Sequence, residues 1–103
     1  MNLKSIEIPG DQIADLCQRW HIEKLSLFGS VLRNDFTPES DIDILVEFET
    51  GLTPDFFKLY QIESELSNLF SQRRIDLVTP KFLNHRIRDR ILAEAEVCYV
   101  AKR

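Results

Sequence analysis

Leu27-Phe28-Gly29-Ser30 and, after ten intervening residues, Asp41-Ile42-Asp43-Ile44-Leu45-Val46 decide how this chain is read. The first stretch is an apolar run cut short by glycine, which lets the backbone turn and lets a ligand approach the main chain with no Cβ in the way. The second alternates at its start and is rich in β-branched residues, as a central strand is. Aspartate is disfavoured in strands. Residues i and i+2 of a strand share a face, so the carboxylates of Asp41 and Asp43 are expected side by side, where like charges repel. A divalent cation between them relieves the repulsion, and hard oxygen ligands of this kind suit Mg²⁺. The plain alternative is a strand mouth facing solvent, with Asp41 a loop-end residue.

Working outward, Ile13, Leu16, Cys17 and Trp20 recur at helical spacing after the Pro9-Gly10-Asp11 break and predict a helix over residues 11–20. Leu25, Leu27 and Phe28 form a short strand. Val31 to Asn34 reads as a short helix and residues 35–40 as a loop turning at Pro38. The strand 41–48 follows. Thr53-Pro54 supplies an N-cap and a first-turn proline for a helix in which Phe56, Leu59, Ile62, Leu66, Leu69 and Phe70 keep helical spacing. Residues 74–78 form a strand. Residues 81–94 form a helix with Leu83, Ile87 and Ile91 on one face, and residues 97–100 form a last short strand. The expected fold is therefore α/β (α+β): a small mixed sheet of about four strands with helices packed on it, in a single domain spanning 1–103.

The totals agree. A chain of 103 residues buries about 60–70% of its unfolded surface, enough for one core. With 44% apolar and 29% charged residues it has ordinary globular composition. No apolar run approaches the roughly 20 residues of a membrane helix, and no signal region follows Met1, so a cytoplasmic location and no membrane contact are expected. Cys17 and Cys98 stand in no ligand spacing and read as small core residues. The net charge of −4 is uneven: residues 35–65 carry nine acidic residues against Lys58, and residues 81–103 carry six basic against three acidic. That balance argues against general nucleic-acid binding.

Three further features bear on chemistry. If a helix starts at Ser30, its free N–H groups and hydroxyl would hold an anion such as a triphosphate; the alternative is a turn with a serine cap. Asp76 lies among Ile75, Leu77 and Val78, so its charge needs a partner: Arg73, Arg74 or an arginine of the last helix, or else the metal pair, where it would draw the proton from an acceptor hydroxyl. Arg33 reads either as a phosphate contact or as an exposed helix arginine.

Taken together, Leu27–Ser30, the ten-residue gap and Asp41–Val46 resemble the signature of the DNA polymerase β-like nucleotidyltransferases. With this small size, the chain is most similar to the minimal nucleotidyltransferases that act as antitoxins beside HEPN-domain toxins. The resemblance implies Mg²⁺-dependent transfer of AMP from ATP to a hydroxyl. Asp41, Asp43 and Asp76 would be catalytic and would hold two Mg²⁺ ions, while Gly29, Ser30 and Arg33 would bind the nucleotide. Since the chain stops at Arg103, the acceptor is expected on a separate protein, a tyrosine of a partner HEPN toxin, whose ribonuclease activity AMP would block. The competing expectation is an antitoxin of the same fold that neutralises by contact alone. Leu32 and Asn34 depart from the family's pattern, which usually has a small residue, arginine and glycine after Gly-Ser-x. Trp20 is expected in the core, as are Phe56, Phe57 and Tyr60 unless some of these three stay exposed as an oligomer interface; His21 is expected at the surface or as a cap, and His85 in solvent. Lys81, Arg86, Arg88, Arg90, Lys102 and Arg103 make either a solvated basic end or a docking surface for an acidic partner.

Overall fold

The computed structural model describes residues 7–33 and 36–102. The expectation for Asn34, and the contribution of Arg103, lie outside the described residues. The chain runs α1 (Gly10–Arg19), β1 (Ile22–Phe28), β2 (Ile42–Phe48), α2 (Phe56–Leu69), β3 (Ile75–Val78), α3 (His85–Glu94) and β4 (Glu96–Val100). Single 3₁₀ turns cover Gly29–Leu32 and Pro80–Phe82. The strands make one mixed sheet in the order β3-β2-β1-β4, with β1 antiparallel to β2 and β4, and β2 parallel to β3. The expected fold class is what the chain adopts.

Strand alternation sorts the core. Leu25 and Leu27 of β1 and Ile42, Ile44 and Val46 of β2 turn to one face, where Ile13, Leu16 and Cys17 of α1 and Ile62 and Leu66 of α2 cover them. Each is essentially without solvent contact. Removing one such side chain to alanine costs about 2–5 kcal/mol, because the cavity adds to the lost transfer energy. Leu45 and Ser26 face the other side and are paired across β1 and β2, and they too are buried.

Several local expectations shift. The helix at α2 is capped by Asp55, whose Oδ1 accepts the Lys58 N–H at 2.9 Å, and not by Thr53. Both residues are good caps; an acceptor at residue 55 starts the helix where Ile62 and Leu66 face the sheet. Trp20 ends α1 half-buried, because its indole Nε1 donates to Glu65 Oε2 of α2 at 2.6 Å and must stay at the rim. Phe56, Phe57 and Tyr60, expected inside, are exposed. They occupy the first turn and a half of α2, where Leu59 and Ile62 supply the contacts to the core. The expected helix over 81–94 divides into a 3₁₀ turn and α3, capped by Asn84, and α3 buries none of its residues.

Candidate active site

The site forms at one end of the sheet, where β1 arrives and β2 and β3 depart. Phe28 pairs with Asp43, and Asp43 pairs in turn with Asp76 on the parallel neighbour. Parallel register therefore sets the two carboxylates side by side on one face. Gly29 lies next to this row with φ +75°, a conformation that a side chain rarely adopts, and a Cβ there would collide with the Asp43 carboxylate. The glycine is thus needed twice, for the left-handed turn and for the space beside the carboxylate.

Burial is the first cause holding the Asp43 carboxyl above its ordinary range, followed by the negative charges of Asp76 and Asp41. A hydrogen bond shared with Asp76 adds to the effect, and the Arg33 guanidinium pulls the other way. Asp41 stands just before β2, one residue outside the strand, with its Oδ1 3.8 Å from Arg74 Nε. Among the described residues no three His, Cys, Asp or Glu side chains stand together as a ready metal-holding group. The expected three-carboxylate convergence is present as a pair, Asp43 and Asp76, with Asp41 beside Arg74. Three like charges without a counter-ion repel, and the residue freest of the strand is the one beside a cation.

The approach loop is pinned. Arg73 Nη2 donates to the Thr37 carbonyl at 3.2 Å, and its guanidinium lies 4.5 Å over the Phe36 ring. Ser40 closes the turn by donating its N–H to Thr37 O at 3.0 Å and accepting the Thr37 N–H at the same distance. Arg73 and Arg74 are therefore engaged with Thr37, Phe36 and Asp41, and among the described residues neither forms an ion pair with Asp76. Ser30 falls in a single 3₁₀ turn, too short for a substantial macrodipole; what the turn offers a phosphate is its N–H groups and the Ser30 hydroxyl. Leu32, the bulkier departure, packs against the core.

Sequence reasoning missed Glu63. From α2 it reaches the site's edge, where burial and then the charge of Asp76 push its carboxyl upward. The only signal was a glutamate directly after the core residue Ile62. A concavity of about 680 Å³ is lined by residues of α1 and β4, at the opposite side of the sheet from β3. Its thiols, Cys17 and Cys98, are pushed up to about 12 and about 11 by burial first, so they stay protonated and inert. The clustered carboxylates, not this hollow, mark the chemistry.

Hard oxygen donors with one open side fit Mg²⁺, which commonly takes one or two carboxylates and completes its shell with waters and substrate phosphate. Known proteins carry the same arrangement of elements. Residues 11–98 match the family model described as "Nucleotidyltransferase domain". Protein adenylyltransferase MntA of Thermococcus cleftensis is 35% identical over 86 residues, covering 84% of this chain and 82% of that one. An inferred protein adenylyltransferase of Methanocaldococcus jannaschii, MJ0128, is 43% identical over 63 residues, 61% of each chain. The solved structure of an inferred minimal nucleotidyltransferase superposes with a TM-score of 0.73 at 32% identity, covering 92% of this chain and 94% of that one. A toxin-antitoxin crystal structure with AMP-PNP shares the fold at a TM-score of 0.72 and 19% identity, over 91% of this chain and 75% of that one. The chain belongs to the nucleotidyltransferase family, among its minimal members.

Proposed function

We propose that the chain is a Mg²⁺-dependent protein adenylyltransferase that moves AMP from ATP to a hydroxyl, a tyrosine, of a partner HEPN-domain toxin, and so acts as its antitoxin in the cytoplasm. The observation that carries this reading is the Asp43–Asp76 pair, set across two strands beside a glycine that keeps the space open. Two relatives bear adenylyltransferase names, and a fold neighbour was solved as a toxin-antitoxin with AMP-PNP.

Asp43 and Asp76, joined by Asp41, would hold Mg²⁺, which when bound lowers the pKa of an acceptor hydroxyl and steadies leaving pyrophosphate. The main chain at Gly29 and the Ser30 hydroxyl would hold the triphosphate, with Arg33 adding positive charge. Asp76, the more exposed of the pair, takes the proton as the acceptor oxygen bonds the α-phosphorus and the α–β bridging bond breaks, releasing pyrophosphate. Positioning and charge supply most of the rate in such a transfer.

The test joins purified chain and toxin with ATP and Mg²⁺ and weighs the toxin. A gain of one or more AMP units is expected. An unchanged mass, with ATP bound, refutes the assignment. The exposed aromatics of α2 favour a second reading, neutralisation by contact alone. Asp41→Asn with Asp43→Asn separates the two: catalysis requires the double variant to lose protection, whereas contact alone leaves protection at the wild-type level.

A further inference from the structure

The most unusual surface lies outside the carboxylate row. Phe56, Phe57, Tyr60 and Phe82 are 75%, 79%, 69% and 58% exposed, although burying such rings is strongly favourable. Three of them share one place: Phe56, Tyr60 and Phe82 line a cavity of about 330 Å³ between α2, β3 and the Pro80–Phe82 turn, and Phe56 and Phe82 stack there with centroids 5.9 Å apart. Leu77 and Val78 line it, and Thr79 does so with a hydroxyl that is buried and has no hydrogen-bond partner among the described residues. Clustered exposed aromatics around a hollow mark a protein-binding face.

Charge says what kind of partner fits. On a chain of net charge −4, residues 80–92 carry Lys81, Arg86, Arg88 and Arg90 against Asp89 alone. Lys81 Nζ sits 5.8 Å over the Phe82 ring, so the cationic rim begins at the aromatic patch itself. Helix α3 opens three residues after Phe82, buries nothing, and leaves Ile87 53% exposed. A second copy would have to bring its own acidic segment 35–65, and so its active site, onto this rim. The patch also lies toward the active site, since Glu63, which lines the same hollow, feels the charge of Asp76.

We infer that the aromatic hollow of α2 and the Pro80–Phe82 turn, with the basic rim running into α3, is the face that docks the acceptor protein. This rests on the reading above that the acceptor is a separate protein. The partner surface it fits is acidic at its edge and bears an aromatic or leucine side chain at its centre. That side chain enters the hollow and the acceptor hydroxyl comes to rest on the Asp76 side. The apolar anchor sets the lifetime of the complex, and the rim sets its association rate.

The test measures binding of the purified HEPN-domain toxin to wild type, to Phe56→Glu and to Arg86→Glu/Arg90→Glu by calorimetry, at low and high salt. Circular dichroism reports whether each variant folds. Phe56→Glu is expected to weaken binding by about tenfold or more at both salts. The charge reversal is expected to weaken it chiefly at low salt and to flatten its salt dependence. Asp41→Asn/Asp43→Asn, which removes catalysis, keeps wild-type affinity. Wild-type affinity in both surface variants overturns the docking face while leaving the AMP transfer intact. An unmodified but tightly bound toxin, released by Phe56→Glu, leaves the docking face standing and removes the AMP transfer. Absence of toxin binding to wild type, or self-association through this face that Phe56→Glu abolishes, overturns the inference.

Discussion

Asp43 is where sequence, fold and chemistry meet. Its carboxyl is raised by burial and by Asp76 and Asp41, so its ionised form opposes folding. The unfolded chain loses that proton near the ordinary carboxylate value, about pH 4, and the folded chain loses it higher. Stability is therefore greatest below the unfolded value and falls as pH rises through the folded one. Asp43→Asn should melt higher than wild type at pH 7 in EDTA, the gap closing in acid and narrowing when Mg²⁺ is added. A variant that melts lower at neutral pH would contradict this. Gly29→Ala is expected to cost about 1–2 kcal/mol from its left-handed backbone alone, read in urea unfolding, and to weaken Mg²⁺–ATP binding because the new Cβ displaces Asp43. Cys17, held at about 12 from an ordinary 9.0, works in the same sense at alkaline pH. Above about pH 9 the unfolded thiol ionises while the folded one does not. Wild type should thus lose stability faster than Cys17→Ala between pH 8 and pH 10.

At the scale of elements, Glu65 ties α1 to α2 by accepting from Trp20 Nε1 at 2.6 Å and from Arg19 at 3.0 Å. The site is partly exposed, so Glu65→Gln is expected to cost only about 1 kcal/mol in denaturant unfolding, together with a shift in Trp20 fluorescence. Helix α3, with an Asn84 cap and no buried residue, should exchange its amides first among the helices. Much of this layout was legible beforehand. The β-branched run 42–48 and the spacing of Ile13, Leu16 and Cys17 each have one stable solution, because one face must be buried. Register is what could not be read. That Asp76 stands opposite Asp43, and that Asp41 falls one residue short of β2, follow from how β3 slides along β2, a long-range fit with no local signal. The exposure of Phe56 and Phe57 was hidden for the same reason: helical spacing shows which residues share a face, not which of them a neighbouring element covers.

For the whole molecule, the uneven charge becomes an arrangement. The acidic segment supplies Asp43, which β3 completes with Asp76 at one end of the sheet, and the basic segment begins beside an aromatic hollow between α2 and β3. Among the described residues no helix is long and apolar enough to cross a membrane. Gly29, Ser30 and the two early aspartates were legible as a set because their spacing is fixed by one strand–turn–strand unit, whereas Glu63 became visible only once α2 was laid against β3. The most direct test of the account labels ATP radioactively at either the α- or the γ-phosphate and follows the label onto the purified toxin. Transfer from the α position only, dependent on Mg²⁺ and lost in Asp43→Asn, is the expected result. Transfer from the γ position, or equal α-labelling by Asp43→Asn, would contradict it.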